Sequence, residues 1–320
     1  MAVISFFSYK GGSGRTTTTL NTLYYLIRKV HPTPAAPLVI IDADSDSYGM
    51  SMLLKNKDKD YAPESSLQAL GLTAQQNTFV GAGGTTDFTV YRNLASYFLP
   101  VGKYFTNDVE DEAVLLLCSD VTPQVQDELW NETFSLNKLG QKVTDNLRAM
   151  LDVLEDCGCT VVFDTPSGTQ DMATFALESS DIVVCCMRPS VQFEKGTRQC
   201  FGPLFENWKA LGNQKQVIFC PSAVPYKETT IDGNVYPAQY INTTFDKFKI
   251  EMQTKANDTH NIVRLLWDMR EGVVPGIPEV ERFKWQECCL KDGPTDKEDE
   301  KMAMEKYEKL ARLIYEYSPN

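Results

Sequence analysis

The stretch FFSYKGGSGRTTTTLNTL (6–23) passes from an apolar segment through three glycines into a threonine-rich segment. It begins within AVISFF (2–7), a continuous apolar run typical of a strand buried on both faces. It leads into TTTTLNTLYYLIRKV (16–30), which has the pattern of a helix. A glycine-rich turn between a strand and a helix lets several backbone N–H groups point at one anion. The stretch therefore predicts a phosphate-binding loop.

The same kind of buried strand recurs along the chain. Five more apolar runs have its character: PLVIID (37–42), AVLLLC (113–118), CTVVFD (159–164), DIVVCCM (181–187) and QVIFCP (216–221). Helix-like segments lie between them, among them residues 134–158 and 169–180. Strands that alternate with helices favour parallel pairing, because each helix returns the chain to the start of the next strand. The sequence predicts an α/β fold, with a doubly wound, mainly parallel sheet flanked by helices.

Two stretches depart from this alternation. Residues 55–112 mix charges, glycines and aromatics without a clear period, and we interpret them as an insertion of helix and loop on one side of the sheet. Residues 295–318 predict an acidic amphipathic C-terminal helix with apolar side chains on one face. No linker or internal repeat divides the sequence, so residues 1–320 are predicted to form a single domain with these two additions.

Charge and cysteine content limit the classes of partner. Lys and Arg number 31 and Asp and Glu 43, so the net charge is −12 and neither DNA nor an anionic membrane is indicated. No apolar stretch approaches the roughly 20 residues of a membrane helix, and the first residues lack the pattern of a signal peptide. The nine cysteines lack metal-binding spacings, which favours buried free thiols. These features predict a cytoplasmic protein.

The loop departs in two places from the general phosphate-binding pattern G-x-x-x-x-G-K-[ST]. Tyr9 stands at the first glycine and Arg15 at the lysine. Arginine keeps the positive charge but is planar and bulkier than lysine, so the same geometry does not follow. By position, the hydroxyl of Thr16 is suited to Mg²⁺ and that of Thr17 to an α-phosphate. The predicted nucleotide-binding residues are Gly11, Gly12, Ser13, Gly14, Arg15, Thr16 and Thr17.

Lys10, directly before the glycines, gives the loop a second interpretation. The pattern K-G-G-x-G-[KR]-[ST]-T resembles the deviant Walker A loop of the ParA/MinD family of P-loop ATPases, in the SIMIBI class. In that family the early lysine is the signature residue, and the residue before it need not be glycine, so Tyr9 agrees with the pattern. Most members carry lysine where this sequence has Arg15, and the sequence resembles the subset with arginine there.

Two further motifs of that family are matched in the same order. PLVIIDADSDSYGMS (37–51) is similar to its apolar strand ending in D-x-D, and CTVVFDTPSG (159–168) is similar to its Walker B strand and the turn that follows. The resemblance implies that Asp44 positions the attacking water and that Asp42 lies near the metal. The metal-binding residues that it implies are Thr16, Asp42 and Asp164.

The resemblance covers part of the chain. Its motifs span residues 1–50 and 135–222, with a weaker match to about residue 290. In that weaker part, QVIFCPSAVP (216–225) and VVPGIPEVERFKWQE (273–287) stand where relatives hold adenine, although an asparagine common in relatives is missing.

The resemblance implies a slowly hydrolysing switch that takes ATP and Mg²⁺ as cofactors. Two subunits of such a protein enclose ATP face to face, and Lys10 would reach the phosphates held by the partner subunit. A cation in that place stabilises charge on the transferred phosphoryl group. Lys10 and Asp44 are therefore the predicted catalytic residues. The expected partners are a second copy of this chain and a protein that the switch regulates or a cargo that it positions.

Two alternatives stay open. Arg15 motivates a scaffold that binds nucleotide without hydrolysing it, because arginine changes the geometry of the loop. Tyr307, Tyr315 and Tyr317 prompt a bacterial tyrosine kinase of related fold, although such kinases do not usually carry the early lysine. ATP binding without phosphate release would favour the scaffold, and phosphotyrosine formed from ATP would favour the kinase.

Overall fold

The computed structural model describes residues 2–44, 49–54, 67, 70, 87–119, 136–225, 229–231, 234–236, 245–266, 276–284, 288–291 and 296–319. The strands are β1 (Ala2–Ser8), β2 (Leu38–Asp42), β3 (Leu99–Pro100), β4 (Val114–Leu117), β5 (Thr160–Ser167), β6 (Ile182–Met187), β7 (Lys215–Pro221), β8 (Thr229–Ile231), β9 (Asn234–Tyr236) and β10 (Val263–Leu265). The helices are α1 (Arg15–Val30), α2 (Gly49–Leu54), α3 (Arg92–Ala95), α4 (Gly102–Phe105), α5 (Leu136–Asp156), α6 (Asp171–Ser179), α7 (Val191–Leu211), α8 (Asp246–Asn257) and α9 (Glu298–Tyr317).

Eight of these strands form one sheet in the order β10-β7-β6-β1-β5-β2-β4-β3, and β8 and β9 form a separate hairpin. Neighbouring strands of the large sheet are parallel except β3, which runs antiparallel to β4. All six apolar runs that the sequence predicts as strands lie in this sheet. The predicted doubly wound, mainly parallel sheet is confirmed.

The continuous apolar runs are explained by helices on both faces of the sheet. Successive side chains of a strand point to opposite faces, so each face needs its own apolar residues. In β1, Ile4 and Phe6 pack with side chains of α1 and α9, whereas Val3 packs in the cluster that contains α5 and α6. Phe7 packs in a third cluster, with α7 and α8. β1 is therefore buried on both sides, next to the loop that follows it.

Strand order brings two predicted site residues together. β2 pairs with β5 in a register that sets Asp42 opposite Asp164. β1 lies between β5 and β6, and because these strands are parallel, the loop after Ser8 opens at the edge where both aspartates lie. Ligands of open α/β sheets bind at this carboxyl edge.

The C-terminal helix is part of the core. α9 confirms the helix predicted over 295–318, and its side chains Ala303, Tyr307, Leu310 and Ile314 are buried against the face that carries α1. In the part of the chain that the structure describes, no helix combines the length and hydropathy that crossing a membrane requires. All nine cysteines are free thiols, seven of them buried, as the sequence predicts.

Several elements were not predicted, among them α7, β3 and β10. α7 contains Gly196, Gly202 and Pro203, which lower helix propensity, so packing rather than local sequence stabilises it. β3 and β10 have two and three residues, too few for a clear period. β3 lies in the predicted insertion and joins the sheet edge, which differs from the predicted helix and loop on one side. Residues 55–66, 68–69 and 71–86 of that insertion lie outside the described residues, and a single domain over 1–320 stays a prediction.

Candidate functional site

The loop between β1 and α1 has the backbone of an anion-binding turn. Gly12 and Gly14 have φ angles of 76° and 75°, in the left-handed region that favours glycine. The first helical hydrogen bond runs from the Thr18 N–H to the Gly14 carbonyl, at 2.9 Å. The N–H groups before Thr18 are thus those that a helix N-terminus leaves for a ligand. The Ser222 hydroxyl donates to the Ser13 carbonyl and fixes the centre of the loop.

A cavity of about 480 Å³ opens over this loop. Its lining includes Gly11 to Thr16, Asp44 and the turn at Pro166 and Ser167. A second cavity of about 180 Å³ adjoins the other side of the loop and shares Gly12 and Gly14 with the first. Together the two have the size of a small-molecule site. The loop is thus bordered by a wide cavity on one side and a narrower cavity on the other.

Arg15 turns its guanidinium into the protein, between two carboxylates. Its Nε donates to Asp164 Oδ1 at 2.8 Å, and its Nη2 donates to Asp44 Oδ2 at 2.7 Å. Burial lowers the pKa of Arg15, but the two carboxylates more than offset burial, so the pKa lies above its ordinary value. Three residues to which the sequence assigns separate tasks thus form one buried, ion-paired group, in which Arg15 borders the cavity but is held by Asp44 and Asp164.

Asp42 lies behind this group and does not line the cavity. Its Oδ2 accepts hydrogen bonds from the N–H and the hydroxyl of Ser51, both at 2.7 Å, and its Oδ1 accepts one from the Asp44 N–H at 3.3 Å. Burial, followed by the charge of Asp164, raises the pKa of Asp42 to about 7. Both oxygens of Asp42 thus accept hydrogen bonds from the protein, which is typical of a residue that holds the surrounding backbone in place. We therefore do not assign Asp42 the place near the metal that the resemblance implies.

Asp42→Asn should remove a pH dependence of stability. The pKa of Asp42 is about 7 in the folded protein and near 3.8 in an unfolded chain. The folded state therefore holds a proton that the unfolded state has released, so stability should fall by a few kcal/mol as pH rises from about 4 to about 7. Asparagine does not titrate, so the free energy of unfolding of Asp42→Asn should change less with pH than that of wild type. Urea unfolding across that range measures the slope, with the exposed Asp246→Asn as control, and parallel curves for wild type and Asp42→Asn would contradict the assignment.

Known proteins were compared with this chain by sequence and by structure. No protein-family model and no curated protein matches it. Among solved structures, an ATP complex of McdA from Cyanothece matches with a TM-score of 0.58 and 14% identity, over 98% of this chain and 96% of that one. The cell division ATPase MinD of Pyrococcus furiosus matches at 0.56 with 18% identity, over 98% and 99%. A ParA family ATPase from Chlorobium tepidum matches at 0.54 with 13% identity, over 97% and 98%.

This chain has the ParA/MinD-type P-loop ATPase fold. The low identities mean that the likeness establishes the fold, and the chemistry has to be argued from the site itself. The resemblance noted from Lys10 and the two aspartate motifs is confirmed at this level.

In this ParA/MinD-type fold, Lys10 lies outside the cavity of its own chain. Lys10 is exposed and is absent from the residues that line the 480 Å³ cavity. Its Nζ donates to Gln192 Oε1, near the start of α7, at 3.0 Å. The ammonium group is therefore held at the surface beside the loop, while Arg15 is buried beneath it.

The narrower cavity is built by the two stretches that were predicted near adenine. The Ile277 N–H donates to the Pro221 carbonyl at 2.7 Å, and the Val224 N–H donates to the Ile277 carbonyl at 2.9 Å, so the stretches lie side by side. Tyr307 of α9 completes the lining. Residues 273–275 and 285–287 of the predicted segment lie outside the described residues. The geometry fits a nucleotide whose phosphates lie on the loop and whose base lies in this cavity.

The oxygen atoms around the larger cavity fit a magnesium ion. Thr16 and Asp44 line the cavity. Asp164, like Asp42, is not among the lining residues, but unlike Asp42 it has a buried oxygen, Oδ2, without a hydrogen-bond partner in the described part of the chain. Carboxylate and hydroxyl oxygens are the ligands that Mg²⁺ prefers. The guanidinium of Arg15 now supplies the positive charge that Asp44 and Asp164 require, so a bound cation would share these carboxylates with Arg15 or replace it.

Sequence reasoning missed several residues that complete the site. Ser51 holds Asp42, Ser222 holds the loop at Ser13, Gln192 holds Lys10, and Tyr307 closes the narrower cavity. Gln192 stands in no recognised motif, and Ser51 ends the stretch 37–51 without belonging to its D-x-D pattern, so no local signal marks either residue. Tyr307 was noted in the sequence for the kinase alternative, and the packing of α9 beside α1 shows that it reaches the narrower cavity.

Proposed function

We propose that this chain is a ParA/MinD-like molecular switch that binds ATP with Mg²⁺, hydrolyses it slowly and dimerises around it. The observation that carries the proposal is the 480 Å³ cavity, which is lined by the glycine loop and Asp44 and adjoins a base-sized pocket. The likeness to an ATP complex of McdA supports ATP as the ligand.

Phosphate binding rests on the loop. The N–H groups at the start of α1 and the turns at Gly12 and Gly14 are suited to several phosphate oxygens, and Thr17 borders both the loop and the narrower cavity. Magnesium, held by Thr16 and Asp164, would neutralise phosphate charge. Arg15 stays near these groups as a fixed cation that balances Asp44 and Asp164 before ligand arrives.

Hydrolysis requires a carboxylate that orients water, and Asp44 is the residue proposed for it. Asp44 lines the cavity, two residues after β2 ends. A positioned carboxylate that accepts a proton from water contributes roughly 10²–10⁴-fold to such a reaction. Because Asp44 also pairs with Arg15, the pair has to loosen before Asp44 orients water, which supports a slow rate.

The position of Lys10 supports the proposed dimerisation. An exposed ammonium that does not line its own cavity is available to phosphates held by another subunit. Its charge would stabilise the transferred phosphoryl group there. We also propose a protein partner or cargo, whose identity stays open. The net charge of −12 gives no support to DNA or an anionic membrane, and a cytoplasmic location stays a prediction.

Asp44→Asn should slow phosphate release by about 100-fold or more while ATP binding is retained, because the amide cannot take a proton from water. A phosphate-release assay at saturating ATP and Mg²⁺ measures the rate, and titration with ATP measures binding. A variant that hydrolyses ATP as fast as wild type would contradict the role of Asp44.

A nucleotide-binding scaffold is the second candidate, and the contacts of Arg15 favour it. A guanidinium fixed by two carboxylates ties up the residue proposed to orient water. If wild type and Arg15→Lys both bind ATP and neither releases phosphate, the scaffold is the better account. Of the tyrosines that prompted the tyrosine kinase alternative, Tyr307 is 1% exposed and closed to phosphorylation, whereas Tyr315 is 49% exposed, so phosphotyrosine formed from ATP is the test of that alternative.

A further inference from the structure

The residues that precede the glycines are packed against α7. The ring of Tyr9 lies on Gly196 so closely that a Cβ at position 196 would be 2.1 Å from Tyr9 Cδ1 and 2.2 Å from Cε1. Such distances are far below any real carbon–carbon contact, so only glycine fits at 196 while Tyr9 keeps its place. One helical turn earlier, Gln192 Oε1 accepts the hydrogen bond from Lys10 Nζ. Gln192 and Gly196 share one face of α7, because they are four residues apart.

The other side of this segment is also held. The Gly168 N–H, in the turn after β5, donates to the Ser8 carbonyl at 3.0 Å. A Cβ at Gly168 would lie 3.8 Å from the Tyr9 carbonyl oxygen, so the turn and the segment are in close contact. Residues 8–10 are thus fixed between the turn and α7. Lys10 therefore leaves the segment in a direction that α7 determines.

We propose that Tyr9, Gln192 and Gly196 are positioning residues that hold Lys10 ready for the phosphates of a nucleotide bound by a second copy of this chain. The inference rests on the proposed function and adds residues to it. Lysine has a flexible stem, and ordering it at an interface costs binding free energy. Contacts that order Lys10 before the subunits meet remove part of that cost. The glycine at 196 is then required by the ring of Tyr9.

Two variants of α7 test the inference, each against a matched control in the same helix. Gly196→Ala displaces Tyr9, whereas Gly202→Ala in the same helix meets only the end of the flexible Lys255 side chain, at 3.3 Å. Gln192→Ala removes the acceptor of Lys10, whereas Gln199→Ala removes an exposed glutamine of the same helix. Both alanines introduced for glycine raise helix propensity, so helix loss does not explain a defect. The readouts are the dimer dissociation constant with Mg²⁺ and a non-hydrolysable ATP analogue, from sedimentation equilibrium, and the affinity of the monomer for that analogue.

We expect Gly196→Ala and Gln192→Ala to weaken the dimer by roughly tenfold or more, and Gly202→Ala and Gln199→Ala to stay within about twofold of wild type. The affinity of the monomer for the analogue should change by less than about twofold in all four, which separates positioning of Lys10 from damage to the cavity. If Lys10→Ala loses the dimer but Gly196→Ala and Gln192→Ala keep it, the inference is overturned and the proposed function stands. If wild type forms no nucleotide-dependent dimer, both are overturned.

Discussion

Replacing Arg15 by methionine should lower the free energy of unfolding by about 3–5 kcal/mol. The guanidinium is 7% exposed and is the cation for both Asp44 and Asp164, whose side chains are 11% and 0% exposed. Methionine fills a similar volume but leaves two buried carboxylates without a positive charge, next to Asp42. Urea unfolding at neutral pH measures the loss.

Two further variants show whether the loss arises from stranded charge. Arg15→Met combined with Asp164→Asn should recover part of the lost stability, because one buried charge is then removed together with its partner. Arg312→Met is the control: Arg312 pairs with Glu316 at 3.8 Å, and the two side chains are 37% and 50% exposed, so its loss should cost about 1 kcal/mol or less. Equal effects of Arg15→Met and Arg312→Met would show that the buried group contributes no more than a surface pair.

Replacing Gly14 by valine should lower the affinity for ATP by roughly 100-fold. Gly14 has a φ of 75°, where a β-branched residue is strongly disfavoured, so the loop has to change its backbone at the start of α1. The N–H groups that face the phosphates then lose hydrogen bonds to a charged ligand, each worth about 1.5–3 kcal/mol. Titration calorimetry with ATP and Mg²⁺ measures the change.

Gly158 offers a matched control for backbone strain. It has a φ of 69° and open space around its Cβ position, as Gly14 has, but it precedes β5 at the opposite edge of the sheet. Gly158→Val should therefore reduce stability like Gly14→Val and leave the affinity for ATP unchanged. A similar loss of affinity in both variants would mean that the loop acts only through general stability.

The sheet and the loop could be predicted because both depend on local sequence. A strand buried on both faces has to be apolar at successive positions, as Val3, Ile4, Phe6 and Phe7 are. The left-handed turns of the loop require glycine, and the threonines after them begin a helix. These constraints act within about 30 residues, so the sequence shows them directly.

The direction of Arg15 could not be predicted, because it depends on residues far away in the chain. Its two partners are 29 and 149 residues distant, and they meet it only after β2 and β5 pair beside β1. A motif records which residue stands at a position and does not record where its side chain points. From the loop sequence, Arg15 was expected to bind phosphate, whereas in the structure its guanidinium is paired with two carboxylates.

The place of Asp42 could not be predicted for the same reason, because it depends on contacts that form only in the folded chain. As the first aspartate of D-x-D it was expected near the metal, but Ser51, at the start of α2, takes one of its oxygens with two hydrogen bonds. The sequence could identify the pair Asp42 and Asp44 and could not assign one to the cavity and one to the interior. Two residues apart on a continuing strand, they would point to the same side, so the assignment arises because β2 ends at Asp42, before Asp44.

The central claim is that ATP on this loop joins two copies of the chain through Lys10. Light scattering coupled to gel filtration, with and without ATP and Mg²⁺, tests it most directly in wild type and Lys10→Ala. The account predicts that the mass of wild type doubles with nucleotide and that Lys10→Ala binds ATP but stays a monomer. An unchanged mass for wild type, or a Lys10→Ala variant that dimerises as wild type does, would contradict it.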